Sequence, residues 1–108
     1  MNLLKLILES KDFRKSLEDE LNVNFSKYNP GLHIGMYSKD RPDDDPLKDK
    51  GFGIITFRYR DDLPQDLFDK AIAIVKRLGG EVTDKSNQYE AEPGERDYYP
   101  KIKFNFSV

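Results

Sequence analysis

Cysteine is missing from this chain of 108 residues, and histidine occurs once. Without thiols there is no disulfide framework, no thiolate metal site and no cysteine nucleophile. Small secreted domains commonly depend on disulfides, so their absence points to a reducing compartment, and a cytoplasmic location is expected. Long apolar runs are missing too. The stretch 3–8 is too short for a membrane span, no basic region precedes it and no small-residue cleavage site follows it. No membrane association is expected. Charge of one sign is also lacking: 18 basic residues face 20 acidic ones, with a net charge of −2 and a pI near 5.4. That balance gives no global pull toward nucleic acid or anionic lipid.

Enzyme signatures are as sparse. His33 lies between Leu32 and Ile34, and nothing in the sequence nominates a nucleophile or an orienting acid for it. No phosphate-cradling glycine loop occurs. Asp40, Asp43, Asp44, Asp45 and Asp49 have the look of a metal loop, but their spacing fits no calcium loop and Pro42 and Pro46 interrupt it. Lys39, Arg41, Lys48 and Lys50 nearly balance those acids. No catalytic residue, metal ligand or cofactor is assigned.

What is present is aromatic. Charged residues make up 35% of the chain and hydrophobic ones only 37%, yet there are seven Phe and six Tyr. Rings of that size bury enough area to build a core in one domain of this length. Leu67, Phe68, Ala71, Ile72, Val75 and Leu78 recur at helical spacing and predict a helix over 64–78. Pro64 suits its first position, Asp66 its first turn, Lys76 and Arg77 its last, and Gly79-Gly80 its end.

Residues 101–108 alternate strictly, with Ile102, Phe104, Phe106 and Val108 on one face, and predict a strand. Residues 52–59 are apolar on both faces, as a central strand would be. Further strands are expected over 32–37, after the turn signal Asn29-Pro30-Gly31, and over 81–90, with Pro93-Gly94 turning the chain back. The first 22 residues are open to two readings. Phe13, Leu17 and Leu21 share a helical face over 11–21, and residues 3–8 either extend that helix backwards or form a leading strand that ends at Ser10, which then caps the helix. Either reading gives an α+β fold, with two helices on one face of a mostly antiparallel sheet of four to five strands. That is a ferredoxin-like arrangement or its circular permutation.

The octapeptide Lys50-Gly51-Phe52-Gly53-Ile54-Ile55-Thr56-Phe57 resembles the basic-Gly-aromatic-small-aromatic-aliphatic-any-aromatic signature of the RNA-recognition motif family. It departs at Ile54, where the family usually carries a ring. The surrounding order of helices and strands is similar, with 3–8 serving as the first strand. The resemblance implies nucleic-acid contacts by Lys50 and Phe52. Strand alternation sets Phe52, Ile54, Thr56 and Arg58 on one face, with Ile55 and Phe57 toward the helices. Lys101, Lys103 and Asn105, together with His33 and Tyr37, are expected on the same open face. A ring flanked by cations suits stacking on unpaired bases.

Two functions follow. The leading expectation is a non-enzymatic protein-interaction domain (an inhibitor, adaptor or regulatory subunit) that contacts another protein through Tyr89, Tyr98 and Tyr99. These lie in an acidic stretch before the last strand, and tyrosine is enriched at interfaces. The alternative is single-stranded RNA or DNA binding through Lys50, Phe52, Arg58, Lys101 and Lys103.

Overall fold

In the computed structural model, which describes residues 3–38, 40–91 and 97–107, the chain forms two helices and four strands in the order α1 (Leu3–Phe25), β1 (Pro30–Met36), β2 (Lys50–Phe57), α2 (Gln65–Arg77), β3 (Gly80–Ser86) and β4 (Lys101–Ser107). A 3-10 turn, Ser26–Tyr28, links α1 to β1. The sheet runs β1-β2-β4-β3 and every neighbouring pair is antiparallel. The fold is therefore α+β. Residues 3–8 belong to α1, so the reading of them as a leading strand is replaced by the helical one. The expected turn at Pro93-Gly94 and the expected strand position Val108 lie outside the described residues.

The alternation of β4 is realised as read: Ile102, Phe104 and Phe106 are buried and Lys103 is exposed. Its partner β2 turns Gly51, Gly53, Ile55 and Phe57 to the same side and leaves Phe52, Ile54 and Thr56 half-buried on the other. Both helices pack on the first side. Phe13 of α1 stacks on Phe106 with centroids 4.3 Å apart, and Phe25 tilts against Phe57 at 5.6 Å. Leu17, Leu21 and Phe25 are fully or almost fully buried, so the apolar stripe of α1 runs a turn further than Leu21. Phe68, Ala71, Ile72 and Val75 of α2 join the same core, as does Ile74, which the sequence stripe left out. Each large side chain buried here stabilises the fold by roughly 1.5–3 kcal/mol relative to exposure.

The ends of α2 follow backbone logic. Pro64 sits one residue before the helix, with φ −49° and ψ 133°, and its carbonyl accepts from the amides of Leu67 and Phe68. At the other end Gly79 adopts φ +100°, a conformation that costs a side-chain-bearing residue energy, and β3 begins at once. The helices are tied across their exposed sides by Arg77, which donates to Glu20 at 2.5 Å, and by Lys70, which donates to Asn24 at 2.8 Å. The Arg77 guanidinium holds the Glu20 carboxyl below the usual carboxylate range.

Three cross-strand pairs of glycine with phenylalanine lie in the sheet. Gly51 lies opposite Phe106, Gly53 opposite Phe104, and Gly35 of β1 opposite Phe52. In each pair the ring occupies the space beside the glycine, and a Cβ there would collide with ring carbons; at Gly35 it would come within 2.5 Å of Phe52 Cζ. Gly31, by contrast, faces only a backbone oxygen 3.7 Å from where its Cβ would stand. Gly53→Ala should therefore cost about 1–3 kcal/mol by overpacking, while Gly31→Ala should stay within about 0.5 kcal/mol of the parent. Urea unfolding of the two variants checks both, and equal effects would show that the Phe104 ring is free to move aside.

Candidate interaction surfaces

Two loops meet at the end of the sheet where β2 stops and β4 starts. The side chain of Asn87 donates to the Leu63 carbonyl at 2.8 Å and accepts from the Leu63 amide at 2.9 Å. Leu63 is buried, so this clamp satisfies backbone groups on the way into α2. Next to it, the Asp62 carboxylate accepts the Tyr89 amide at 2.9 Å, and Glu90 and Tyr98 exchange backbone bonds of 2.9 and 2.8 Å. Asp97 completes the arrangement. Its Oδ2 accepts from the Tyr89 hydroxyl at 3.2 Å and the Tyr99 hydroxyl at 3.4 Å, and Arg60 lies 3.8 Å away.

The three tyrosines expected to share one task are thereby divided. Tyr89 and Tyr99 are half-buried, their rings 5.8 Å apart, and both hold Asp97. Tyr98 points outward and is 49% exposed. Its backbone is paired on the Glu90 side, and its neighbours in sequence are both engaged. It is an exposed ring on a fixed support.

The open sheet face carries a second constellation. Phe52 lies over Gly35 and tilts against Tyr37 at 5.0 Å, while the Tyr37 hydroxyl donates to Asn105 Oδ1 at 2.9 Å. The Arg41 guanidinium sits 5.0 Å from the centre of the Tyr37 ring and is held in place by Asp45 at 2.8 Å. Asp45 itself also accepts the Leu47 amide, and these bonds, the amide first, keep its carboxyl below the usual range. The ring missing at Ile54 thus has a counterpart in Tyr37, one strand away. The expected cations are spread out. Lys103 lies opposite Ile54 and Lys101 opposite Thr56, whereas Lys50 is at the far end of β2 and Arg58 is exposed just past its other end. Lys50 and Lys101 are separated by the length of the strand, roughly 20 Å at about 3.3 Å per residue.

Arg41 was placed by sequence in a balanced charged loop with no hint that it reaches the sheet, since nothing local signals a contact made by a folded-back loop. Asn87 and Asp62 were equally silent, since each bonds to a residue more than twenty positions away, and Asp97 gave no local sign that it would gather the hydroxyls of Tyr89 and Tyr99. Among the described residues no three His, Asp or Glu side chains converge to hold a metal ion, and no helix is long and apolar enough to cross a membrane.

Burial and then the bond to Asp97 push the Tyr89 phenol above its ordinary value of 10.0. The neutral phenol is the form that the folded state favours. Its contribution to stability is therefore full below the unfolded value and is lost as pH rises through the higher folded one. Absorbance at 295 nm should show one tyrosine of the folded chain ionising later than in the unfolded chain, and Tyr89→Phe should remove that late step. An unchanged curve for the variant would place the late phenol elsewhere.

Compared with family models, with curated proteins and with solved structures, the chain finds no match in any of the three.

Proposed function

We propose that this chain is a non-enzymatic protein-interaction domain, an inhibitor, adaptor or regulatory subunit working in a reducing compartment, and that it holds its protein partner around Tyr98. The observation that carries the reading is the pinned loop: an aromatic side chain 49% exposed, set on backbone that Glu90, Tyr89, Tyr99 and Asp97 keep in place. Binding to a pre-formed anchor avoids much of the ordering cost that a mobile loop would add. Tyrosine anchors of this kind are frequent hot spots. In this reading Tyr89 and Tyr99 support the contact and Tyr98 makes it.

The fold that we infer for this domain is a circular permutation of the ferredoxin-like arrangement. Moving the first strand of β-α-β-β-α-β to the end gives α-β-β-α-β-β, the element order found here, and the last strand occupies a central place in the sheet.

A second reading keeps single-stranded nucleic acid as the partner, following the resemblance of the β2 octapeptide to the RNA-recognition motif. What favours it is the pair of rings Phe52 and Tyr37 on the open face with Arg41 beside them. Lys101, Lys103, Lys50 and Arg58 would meet phosphates around that pair.

Two measurements test these readings. The immobilised chain should retain a protein from native lysate after nuclease treatment, and Tyr98→Ala should weaken that capture by about 2 kcal/mol, roughly thirtyfold, with circular dichroism unchanged. Retention of the same protein at parent strength by the variant would remove Tyr98 from the interface. For the second reading, fluorescence anisotropy with a labelled unstructured oligonucleotide at two salt concentrations should show Phe52→Ala losing about 1–3 kcal/mol. Lys101→Ala and Lys103→Ala should each lower the salt slope by about 0.7. No binding by the parent at low salt would exclude it.

A further inference from the structure

The two edges of the sheet are built differently. β3 carries Glu81, Asp84 and Lys85, all exposed, and its register with β4 breaks between Val82 and Asp84, where Thr83 bulges out. Charges and a bulge are the usual means by which a sheet edge is made unfit for further pairing. β1 has neither. Its sequence Pro-Gly-Leu-His-Ile-Gly-Met contains no Asp, Glu, Lys or Arg, and its register with β2 runs unbroken from Pro30 opposite Phe57 to Met36 opposite Gly51.

The backbone groups that Leu32 and Ile34 turn outward can be identified. Tyr37 donates its amide to the Lys50 carbonyl at 3.1 Å, and the Asn29 carbonyl accepts from the Arg58 amide at 3.2 Å. Those two contacts fix the alternation: odd-numbered residues from 29 to 37 bond to β2, so Leu32 and Ile34 between them turn their amides and carbonyls outward. Leu32 and Ile34 are therefore the residues whose N–H and C=O face away from the sheet, while their side chains pack on the core. His33 and Gly31, between and beside them, are exposed on the open face.

We propose that β1 is a self-association edge and that its occupant is the β1 of a second copy, paired antiparallel about a two-fold axis at His33. In that register Leu32 lies opposite Ile34 of the other copy, and each exchanges both backbone bonds with its counterpart. Gly31 faces Gly35, so neither adds a side chain of its own on the open face, where the Phe52 ring already covers Gly35. The charges at the two ends favour the same partner. Exposed Lys27 and Arg58 flank the start of β1; in the loop after its end Arg41 and Lys48 are engaged by Asp45 and Asp43, which leaves the exposed Asp40 and Asp44 to face a basic neighbour. An antiparallel copy brings each basic end toward the carboxylates of Asp40 and Asp44 in the other. The product is one continuous sheet made from the two four-stranded ones, with the bulged β3 at both of its outer limits. This surface is separate from the one around Tyr98.

His33 sits at the centre as a non-hydrogen-bonded pair, where facing Cα atoms approach to about 4.5 Å. That separation lies within the range a disulfide can span. Because the chain has no cysteine, a single introduced thiol reports without background. His33→Cys should form a covalent dimer on mild oxidation, whereas Thr83→Cys on the β3 bulge should not. In sedimentation equilibrium the parent should dimerise with rising concentration. His33→Lys and His33→Glu should each weaken that dimer by about tenfold or more through like charges placed face to face, and an equimolar mixture of the two should restore it. Circular dichroism controls for folding, which a change at an exposed position should spare. A parent that stays monomeric at millimolar concentration would overturn the proposal. So would a dimer that both charge variants leave intact, or one that Thr83→Cys cross-links as readily as His33→Cys.

Discussion

Everything in this fold rests on how closely β2 and β4 allow rings to lie across them. Gly51 and Gly53 present bare backbone to the core side, and Phe106 and Phe104 fill those two places. Only because those rings lie low can Phe13 of α1 stack on Phe106 at 4.3 Å. The helix height, the depth of the core and the register of the central pair are then one constraint. A slip of one residue between β2 and β4 would put Phe104 and Phe106 opposite Ile54 and Phe52, or Phe52 and Lys50, and turn the buried rings of β4 to the open side. The same device recurs on that open side, where Gly35 receives Phe52 and so brings it beside Tyr37.

Those glycines also show how one pattern serves two readings. The octapeptide stands out in the sequence because glycine alternates with aromatic and aliphatic residues. In the folded chain each of its glycines has a phenylalanine partner in β4, a reason internal to the sheet. That reason is compatible with a binding role for the outward-facing Phe52, since the two faces of β2 answer to different neighbours.

What could be read in advance was what periodicity and turn chemistry encode locally. The alternation of Ile102, Phe104 and Phe106 and the stripe from Phe68 to Val75 each needed only a strand or a helix to become meaningful, and both came out where the residues indicated. Residues 3–8 resisted, because a run of Leu and Ile with one Lys suits a helix and a strand equally; in the fold they open α1. The candidate surfaces were legible only as residue types. That Tyr98 alone among its neighbours turns outward depends on Asp97 engaging two hydroxyls, and that Arg41 reaches Tyr37 depends on how Asp45 folds its loop. Contacts of that kind leave no trace in local spacing.

The bulge at Thr83 carries a consequence for the protein in concentrated solution. A flat antiparallel sheet with two regular edges can recruit copies without end, which is the route to fibrils. Here one edge is broken and charged, so strand-by-strand growth has no place to continue on that side. Growth that cannot proceed from both edges terminates, and a sheet of this construction is protected from open-ended polymerisation by one extra residue.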